Sequence, residues 1–578
     1  VDTLRGGTKE LVSNSSAGQN TADSSQNVAF NSDGFTITGY YLYNALINYN
    51  DNNYVSWTFR KQPKFFDIVT YTGNGTSGRT VSHNLGTTVG MLIVKRTDGS
   101  GSWKVFHRSL ADTESLSLNS NSDVGASSSF FNDTAPTSSV FTLGNSNDTN
   151  GNNLTYVAYL FAHNNDDGGF GEPGNQDIIK CGTYTGNAGN PQVIDVGFEP
   201  QFLMVKVAST SGDWQVVDNM RGVLPNGDYP CNNLYWNKRD SETLAGSFGF
   251  FANGFTAAQS SNTNGNGVKF VYMAIRRGGM QTPTAASDVF RTNVSDTDDS
   301  PKNNFTVGFA PDMSINTQTN GNQNFIVTRL LGNGSQKVND ATAFSTHSSS
   351  FFDGPTGTLN LNTNFWGAAS NVVSWSWKRA RGYFDVVPYT GTGSARTVSH
   401  NLGAVPEMIW VKGRNLDSQD WAVYHSATGT SKYLKLNEAI AAIGVGRITG
   451  TSDTTFTLDS DDIVNKSGDP YIAYLFATAA GVSKVGSFTQ SGATNVDCGF
   501  TGDTPAFILL KRTDSTGSWY VFDSTRGIIA GNDPWLPLNT NAQQTTNEDI
   551  VDPYSGGFAT TSTLTNGDYI FYAIAATS

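Results

Sequence analysis

Cysteine is nearly absent from this chain, which contains three in 578 residues. Cys181, Cys231 and Cys498 are too few and too widely spaced to form a disulfide framework or a zinc quartet. We therefore expect each to fill a small buried apolar position, in a fold that does not depend on disulfide bonds. The sequence predicts no metal site and no cofactor.

Charge is also scarce, because only 15% of the residues are charged and the net charge is −13. An acidic chain of this kind argues against nucleic acid as a partner, since phosphate binding requires clustered Lys and Arg. The nearest basic run is Lys378-Arg379-Ala380-Arg381. We interpret it as a solvated linker between domains.

Long apolar runs are missing, and none approaches the ~20 residues of a membrane-spanning helix. The sequence therefore predicts no membrane insertion. Helical periodicity is absent as well, except for a turn or two of helix expected over Leu436–Ala442. Val1 opens in the middle of a repeat, so we expect either more chain upstream or strands supplied by another chain.

What the chain does contain is a short aromatic strand pattern that returns about every 100 residues, the size of one small domain. Its six copies begin at Tyr54, Tyr156, Phe270, Val372, Tyr471 and Tyr569. The clearest longer pair opens at Phe66 and Phe384, and both copies continue into Thr-Val-Ser-His-Asn-Leu-Gly. The chain is therefore predicted to be an array of related modules.

Three module types alternate in the order C-A-B-C-A-B, so that one threefold unit is duplicated. We name the six modules C1, A1, B1, C2, A2 and B2. Their predicted ranges are 1–62, 63–166, 177–280, 285–381, 382–479 and 480–578.

The predicted fold is all-β, a tandem array of about six related β-sandwich, jelly-roll-like modules of which the first is incomplete. Short apolar runs such as Phe202–Val207 are typical of buried strands. Turn clusters such as Asn264–Gly267 separate them, because Asn and Gly tolerate positive φ. Several short strands in each ~100 residues indicate sandwiches.

Two recurring motifs carry ionisable side chains. Asp-x-x-Arg-Gly begins at Asp2, Asp218 and Asp523, and we interpret it as a turn held by a charge-assisted hydrogen bond. His83 and His400 follow a serine, but adjacent strand residues point to opposite faces and cannot form a local dyad. We expect both histidines to shape a turn.

A second histidine pair, His107 and His425, falls where the B modules have Asp218 and Asp523. This exchange of residue type favours a tolerant surface position over a metal ligand. No nucleophile elbow, P-loop or repeated carboxylate pair is present, so the sequence predicts no catalytic residues.

Loop aromatics are the candidate binding residues, because aromatic rings in sandwich loops can stack on sugar rings. An alternative is that these rings only cover core edges. The candidates are Tyr229, Tyr235, Trp236, Trp535 and Tyr554.

Several phrases resemble the tandem repeats of virion and tail-fibre-like proteins of marine tailed bacteriophages, including cyanophages. They include Tyr54-Val-Ser-Trp, Asn31-Ser-Asp-Gly-Phe-Thr-Ile and the Val-Ser-His-Asn-Leu-Gly run of module A2. The resemblance covers nearly the whole chain and is clearest in the A modules. It implies a place on the virion surface and carries over no catalytic or binding residues.

The resulting expectation is a non-enzymatic phage structural protein, a tail fibre or similar appendage. Expected partners are other virion proteins, further copies of the chain in a homo-oligomer, and host surface polysaccharide. Three alternatives stay open: a capsid decoration or fibre protein without a receptor role, an appendage-borne polysaccharide-degrading enzyme, and a bacterial adhesin.

Overall fold

The fold is described from a computed structural model. The structure describes residues 1–578 except 24–26, 33, 40, 43–44, 50–51, 53, 171–175, 190, 224–230, 246, 296–303, 333, 348–350, 354–356, 362–370, 503 and 577–578. Among these residues, helices are confined to single turns, and the remaining regular structure is antiparallel strand. The prediction of a tandem all-β array is confirmed.

Module A2 shows the sandwich most simply. Its larger sheet runs, in spatial order, through Phe384–Thr390, Pro470–Phe476, Met408–Gly413, Ala422–His425 and Leu434–Lys435. The opposing sheet has Arg396–Ser399, Thr455–Leu458 and Ile448–Thr451. Every residue of Pro470–Phe476 and Met408–Gly413 is buried, on both strand faces. One face packs against the opposing sheet, and the other packs against neighbouring modules.

The larger sheets of A1, B1, C2 and B2 have the same spatial order as that of A2, with one further edge strand in A1, B1 and C2. Module C1 contributes three isolated two-stranded pairs among the described residues.

The strands of the first three modules are as follows. C1 has Lys9–Glu10, Asn20–Thr21, Asn27–Phe30, Phe35–Thr38, Tyr41–Leu42 and Ala45–Leu46. A1 has Phe66–Thr72, Arg79–Ser82, Val89–Arg96, Lys104–His107, Glu114–Ser117, Gly125–Ala126, Val140–Leu143 and Thr155–Ala162, with a helical turn at Ser128–Phe131. B1 has Ile179–Thr185, Gln192–Asp195, Pro200–Val207, Trp214–Asp218, Cys231–Tyr235, Thr243–Ala245, Phe248–Phe251, Gly254–Ala257 and Lys269–Arg276, with a helical turn at Ser261–Asn264.

The elements of C2 and B2 complete the set. C2 has Phe290–Val294, Asn304–Thr306, Met313–Gln318, Phe325–Thr328, Gly334–Lys337, Ser345–Thr346, Phe352–Asp353, Thr358–Asn360 and Val372–Trp377, with 3₁₀ turns at Ala286–Asp288 and Arg329–Leu331. B2 has Ser483–Gln490, Thr494–Asp497, Phe507–Arg512, Trp519–Asp523, Leu536–Pro537, Val551–Tyr554, Gly557–Thr560 and Gly567–Ile574. Module A2 also has a 3₁₀ turn at Ser426–Thr428 and a helical turn at Asp462–Asn465.

The chain divides into two compact units. The first comprises 1–218, 227–249 and 254–279, and the second comprises 280–578 with 219–226 and 250–253. The first unit thus holds most of C1, A1 and B1, and the second holds C2, A2 and B2.

The three modules of the second unit form a closed ring, because each donates the same kind of hydrogen bond to the next. The donor is the first residue of the fourth strand of the larger sheet or the residue just before it, and the acceptor is a carbonyl at the end of the neighbour's fifth strand or just after it. The pairs are Trp421 Nε1 to Lys337 O at 2.9 Å, Trp519 Nε1 to Lys435 O at 2.9 Å, and Asn324 Nδ2 to Pro537 O at 3.0 Å and Leu538 O at 2.9 Å.

A backbone hydrogen bond repeats at the same three junctions. Phe344 N donates to Arg414 O at 2.8 Å, Ala442 N to Thr513 O at 2.9 Å, and Gln544 N to Thr319 O at 2.8 Å. Two independent contacts therefore close the ring at each junction. The unit has approximate threefold symmetry within a single chain.

The first unit uses equivalent contacts. Trp103 Nε1 of A1 donates to Ser15 O of C1 at 3.0 Å, and Trp214 Nε1 of B1 donates to Ser117 O of A1 at 3.0 Å. The third junction is made by Ser13 Oγ of C1, which donates to Trp236 O of B1 at 2.7 Å. All three pairs of modules in this unit are therefore joined as well.

Aromatic rings from different modules meet inside each unit. In the second unit, Trp375 and Trp377 of C2 lie 6.0 and 5.4 Å from the ring of Phe507 in B2. In the first unit, Phe59 of C1 lies 5.3 Å from Phe161 of A1 and 5.9 Å from Phe202 of B1. Edge-to-face pairs of this kind add roughly 0.5–1.5 kcal/mol each beyond the area they bury.

Two local predictions were wrong. Leu436–Ala442 is not helical, because its backbone is used across the A2–B2 junction, where Ala439 O accepts from Gly517 N at 2.8 Å. Arg379 is not a solvated linker residue, since it is 5% exposed and its guanidinium lies 2.6 Å from the buried carboxylate of Asp385. The order of residues in the basic run does not show that the Arg379 guanidinium has a buried carboxylate as its partner.

The expectation for the cysteines is confirmed. Cys181, Cys231 and Cys498 are all buried. Burial raises the pKa of the Cys181 and Cys498 thiols.

Replacing the Trp519 indole tests the hydrogen bond that joins modules B2 and A2. We expect Trp519→Phe to lower the free energy of unfolding by about 1–3 kcal/mol, because the part-buried Lys435 carbonyl loses its donor. Trp535→Phe is the matched control, since the Trp535 indole reaches Glu548 within its own module. Urea unfolding monitored by circular dichroism measures both. Equal losses in the two variants would contradict the importance of the junction.

Candidate functional site

Several buried ionisable side chains of the described residues lie at the module junctions. Asp523 is fully buried and accepts from Arg526 Nε at 2.6 Å within the Asp-x-x-Arg-Gly turn. Its Oδ2 also accepts from Trp375 Nε1 at 3.0 Å, which belongs to module C2. Gly527 follows with φ of +124°, a conformation that disfavours any other residue. The predicted Asp-x-x-Arg-Gly turn therefore also binds a neighbouring module through the Asp523 carboxylate.

The first unit repeats this arrangement at two junctions. Asp2 accepts from Arg5 Nε at 2.6 Å and from the Tyr159 hydroxyl of A1 at 2.9 Å. Burial alone would raise the pKa of Asp2, but Arg5 and the donated hydrogen bonds hold it below its ordinary value. Asp218 accepts from Trp57 Nε1 of C1 at 3.1 Å. At three junctions, therefore, the aspartate of the Asp-x-x-Arg-Gly motif accepts a hydrogen bond from a side chain of another module.

Four equivalent lysines lie at the end of a central strand, where their ammonium groups are buried. They donate to backbone carbonyls, as Lys95 does to Ser16 O of C1 at 2.9 Å and Gly101 O at 2.8 Å. Burial lowers the pKa of each ammonium to about 8. The four are Lys95, Lys206, Lys412 and Lys511.

The prediction that His107 and His425 lie on a tolerant surface was wrong. They are 1% and 0% exposed, and each lies against the backbone of the B module of its unit, His107 at Tyr272 and His425 at Phe571. The ring of His107 is fixed by Ser109 N–H, which donates to Nδ1, and by Tyr272 O of B1, 3.1 Å from Nε2. Since a carbonyl only accepts, the proton is on Nε2 and the ring is neutral. Burial lowers the pKa of both histidines to about 4.

The structural role predicted for His83 and His400 is confirmed. Both are buried, and Nδ1 of each accepts from the backbone N–H two residues later, at 3.3 and 3.2 Å. Each ring stacks on a core phenylalanine, His83 on Phe141 and His400 on Phe456.

Two clefts open at equivalent positions, one in each unit. The cleft between C1 and A1 has a volume of about 390 Å³, and the cleft between A2 and B2 has a volume of about 420 Å³. Both are bounded by the ends of the first and last strands of one module and by a loop of the other. The first is lined by Arg5, Gln19, Thr70, Tyr71, Thr72, Thr97, Thr155 and Tyr156. The second is lined by Ala427, Thr428, Lys432, Ala442, Ser487, Phe488, Thr489, Thr513, Asp514, Asp568, Tyr569 and Ile570.

The predicted loop aromatics do not line these clefts. Trp236 packs against Trp57 and Phe202 at a junction, with ring centroids 6.3 and 6.4 Å away. Tyr235 is half-buried beneath the ammonium of Lys238, and Tyr229 lies outside the described residues. Their role in binding sugars stays a prediction.

The other two candidates belong to module B2. Trp535 is half-buried, packs edge-to-face on Tyr520 at 4.8 Å, and donates to Glu548 at 3.2 Å. Tyr554 is half-buried at the end of the strand Val551–Tyr554. The cleft residues could not be found from one module alone, because each cleft is lined by two modules. The aromatic-threonine pairs at the ends of the first strands, Tyr71-Thr72 and Phe488-Thr489, are the sequence feature that the two clefts share.

No group of three His, Cys, Asp or Glu side chains in the described part of the chain is placed to hold a metal ion. Nor does a helix in that part have the length and apolarity that crossing a membrane requires.

Fold and junctions together define a class of protein: an all-β chain made of two copies of a three-module unit. The chain belongs to the family described as Domain of unknown function (DUF7483), whose model matches it twice, at residues 1–277 and 285–577. Each match spans one C-A-B set, so the family domain corresponds to the three-module unit. A comparison with curated proteins gives no match.

The buried histidines predict that acid weakens the protein. As pH falls, the unfolded chain takes up protons near pH 6.5, whereas His107 and His425 resist protonation in the fold until about pH 4. Their stabilising contribution is complete above pH 6.5 and is lost between pH 6.5 and 4, by up to about 3 kcal/mol each. Urea unfolding at a series of pH values measures this slope.

The double variant His107→Gln, His425→Gln is the comparison for that slope. Glutamine does not titrate, so we expect stability to depend less steeply on pH between 6.5 and 4. An unchanged slope in the double variant would show that other groups control acid sensitivity.

Asp523→Asn tests the anchored turn. It removes the charge while keeping the shape, and it leaves the buried Arg526 guanidinium without its counter-charge, so we expect a loss of about 3–5 kcal/mol. Asp514→Asn is the matched control, because Asp514 pairs with Arg512 at the surface, and we expect little or no change. Thermal unfolding measures both variants, and a mild effect of Asp523→Asn would contradict the anchoring role.

Proposed function

We propose that this chain is a non-enzymatic structural protein of a phage virion, built into a tail fibre or a similar surface appendage. Its proposed partners are other virion proteins, further copies of itself, and polysaccharide on the host surface. The resemblance of the A modules to virion repeats supports the proposed location. Duplicated three-module units give the building principle, since repeated units extend a structure without requiring a new fold.

The observation that carries the proposal is the use of the reactive side chains. The described junction lysines donate to carbonyls, Asp2 and Asp523 pair with arginines, and His107 is fixed between two backbone groups. A catalytic group must reach a substrate, whereas Lys95, Asp2, Asp523 and His107 each make a hydrogen bond with a neighbouring module. Their arrangement supports a role in assembly and mechanical integrity.

The buried cysteines support the same role. A particle outside the cell meets oxidising conditions, where exposed thiols react. Burial and a raised thiol pKa protect Cys181 and Cys498 from that reaction.

Immunoelectron microscopy of purified particles tests the proposal. We expect antibodies raised against this chain to label a tail or baseplate appendage, and we expect mass spectrometry to detect the chain in the same particles. Labelling spread over the capsid would instead indicate a decoration protein. Absence of the chain from washed particles would contradict a virion role altogether.

A viscosity assay separates the structural role from the enzymatic alternative. We expect host capsular polysaccharide to keep its viscosity when it is incubated with the purified protein. A progressive fall in viscosity would contradict the non-enzymatic proposal.

A further inference from the structure

We propose that the second unit binds one buried water molecule at the point where its three modules meet. The side chains that would hold this water come from all three modules. They are Trp377 of C2, Tyr383 of A2, and Ser483 and Tyr572 of B2. We call these four residues the central polar cluster.

The Tyr572 hydroxyl lies at the centre of this cluster. The side chains of Tyr383, Trp377 and Ser483 are polar groups that lie against it. A phenylalanine confirms the proximity, because the ring of Phe507 lies 5.4 Å from that of Trp377 and 6.3 Å from that of Tyr572. All four members of the cluster are at most 1% exposed.

Three of these buried groups have no hydrogen-bond partner among the described residues. They are the indole Nε1 of Trp377 and the hydroxyls of Tyr383 and Tyr572. The two hydroxyls lie near each other, but not in the geometry that a direct hydrogen bond requires. Polar groups left unpaired in a protein interior are costly and rare. A small polar molecule bound between the three groups would satisfy them together.

The hydrogen-bonding capacity of the cluster matches water. An indole N–H only donates, whereas each tyrosine hydroxyl donates or accepts. Ser483 Oγ already donates to Ala477 O at 2.9 Å and accepts from Ala479 N at 3.1 Å, so its remaining capacity is that of an acceptor. The cluster therefore offers two donors and two acceptors, which are the partners of a water that makes four hydrogen bonds.

The cluster is neutral, and this disfavours an anion as the bound molecule. Burial raises the pKa of Tyr383 and Tyr572 above the ordinary value, so both hydroxyls keep their protons at neutral pH. The neighbouring side chains that act on these two pKa values are uncharged. A halide would therefore be buried without a cation and would face a lone pair of Ser483 Oγ, which is costly.

The first unit provides an internal comparison, because the same four positions are apolar there. The equivalent residues are Phe59 for Trp377, Phe65 for Tyr383, Ile179 for Ser483 and Met273 for Tyr572. In the first unit all four pack in or against one hydrophobic cluster. The two units thus differ together at every member of the polar cluster, as a shared ligand requires.

Strand register fixes the equivalence in the B modules. Ser483 and Ile179 each begin the first strand, and each pairs with an isoleucine of the last strand. Tyr572 and Met273 lie two residues before that isoleucine. The polar and the apolar residues therefore occupy the same places in the two sheets.

The equivalence in the C and A modules follows from neighbouring motifs. Trp377 and Phe59 lie two residues after the tryptophan that donates to the aspartate of the Asp-x-x-Arg-Gly motif. Tyr383 and Phe65 directly precede the phenylalanine that opens the first strand of each A module. The comparison therefore covers all three modules.

A crystal structure of the full chain, at a resolution that shows ordered water, tests the proposal. We expect one peak of density about 3 Å from Trp377 Nε1, from both tyrosine hydroxyls and from Ser483 Oγ. A direct hydrogen bond between the Tyr383 and Tyr572 hydroxyls, with no density between them, would overturn the site. Crystals grown in bromide identify the molecule, because an anomalous peak at this position would show an anion and overturn the assignment to water.

Removing one hydroxyl shows whether it has a partner. We expect Tyr572→Phe to lower the urea midpoint of unfolding, because the bound water and its other partners lose a hydrogen bond. Tyr389→Phe is the matched control, since the buried Tyr389 hydroxyl donates to Val464 O at 2.6 Å within module A2. We expect the two midpoints to fall by similar amounts. An unchanged or higher midpoint in Tyr572→Phe would overturn the proposal, because removing an unpartnered hydroxyl does not destabilise the fold.

The double variant Tyr383→Phe, Tyr572→Phe tests whether the two hydroxyls share one water. Either single change disrupts the same set of hydrogen bonds, so we expect the double variant to lose less than the sum of the single losses. Urea unfolding of the four proteins measures this difference. Additive losses would show that the hydroxyls act separately and would overturn the shared site.

Discussion

The three-module unit depends on a hydrogen bond that crosses each junction to a carbonyl at the end of a short strand. An exposed sheet edge is a liability, because its unpaired backbone groups attract other strands. Here the fifth strand of the larger sheet is only two residues long in A2 and B2, Leu434–Lys435 and Leu536–Pro537. A side chain from the next module pairs with its terminal carbonyl. In A2 and B2, where this strand is the edge of the larger sheet, the terminal carbonyl of the edge is therefore paired.

Other features of the units follow from this closure. The central strands are buried on both faces, so their end residues become buried too, including cations such as Lys412 and neutral rings such as His425. Buried polar groups are costly unless they are hydrogen-bonded. Lys412 meets this condition at the backbone of the neighbouring module, where Ala341 O accepts at 3.0 Å. Ionisable residues that could suggest catalysis thus make hydrogen bonds that hold neighbouring modules together.

Much of this architecture could be predicted from the sequence, because repetition and strand patterns are local properties. The all-β array, the duplicated C-A-B order and the turn between Asp523 and Arg526 all follow from residues close together in the chain. The closed ring of three modules could not be predicted. A sequence repeat shows which residues are equivalent in different modules, but it does not show which modules are in contact. Burial of His107 and Arg379, and the non-helical path of Leu436–Ala442, were missed because each depends on a contact made in the folded unit. The clefts were missed because they exist only where two modules meet.

Differential scanning calorimetry of the full chain tests the central claim, that three modules form one cooperative unit. With about 0.7 kcal/mol of unfolding enthalpy per residue, a cooperative unit of about 290 residues has a van't Hoff enthalpy near 200 kcal/mol. A single module of about 100 residues would give about 70 kcal/mol. The account predicts at most two transitions, each with the larger enthalpy. Several transitions with enthalpies near the smaller value would show that the modules fold independently, and would contradict it.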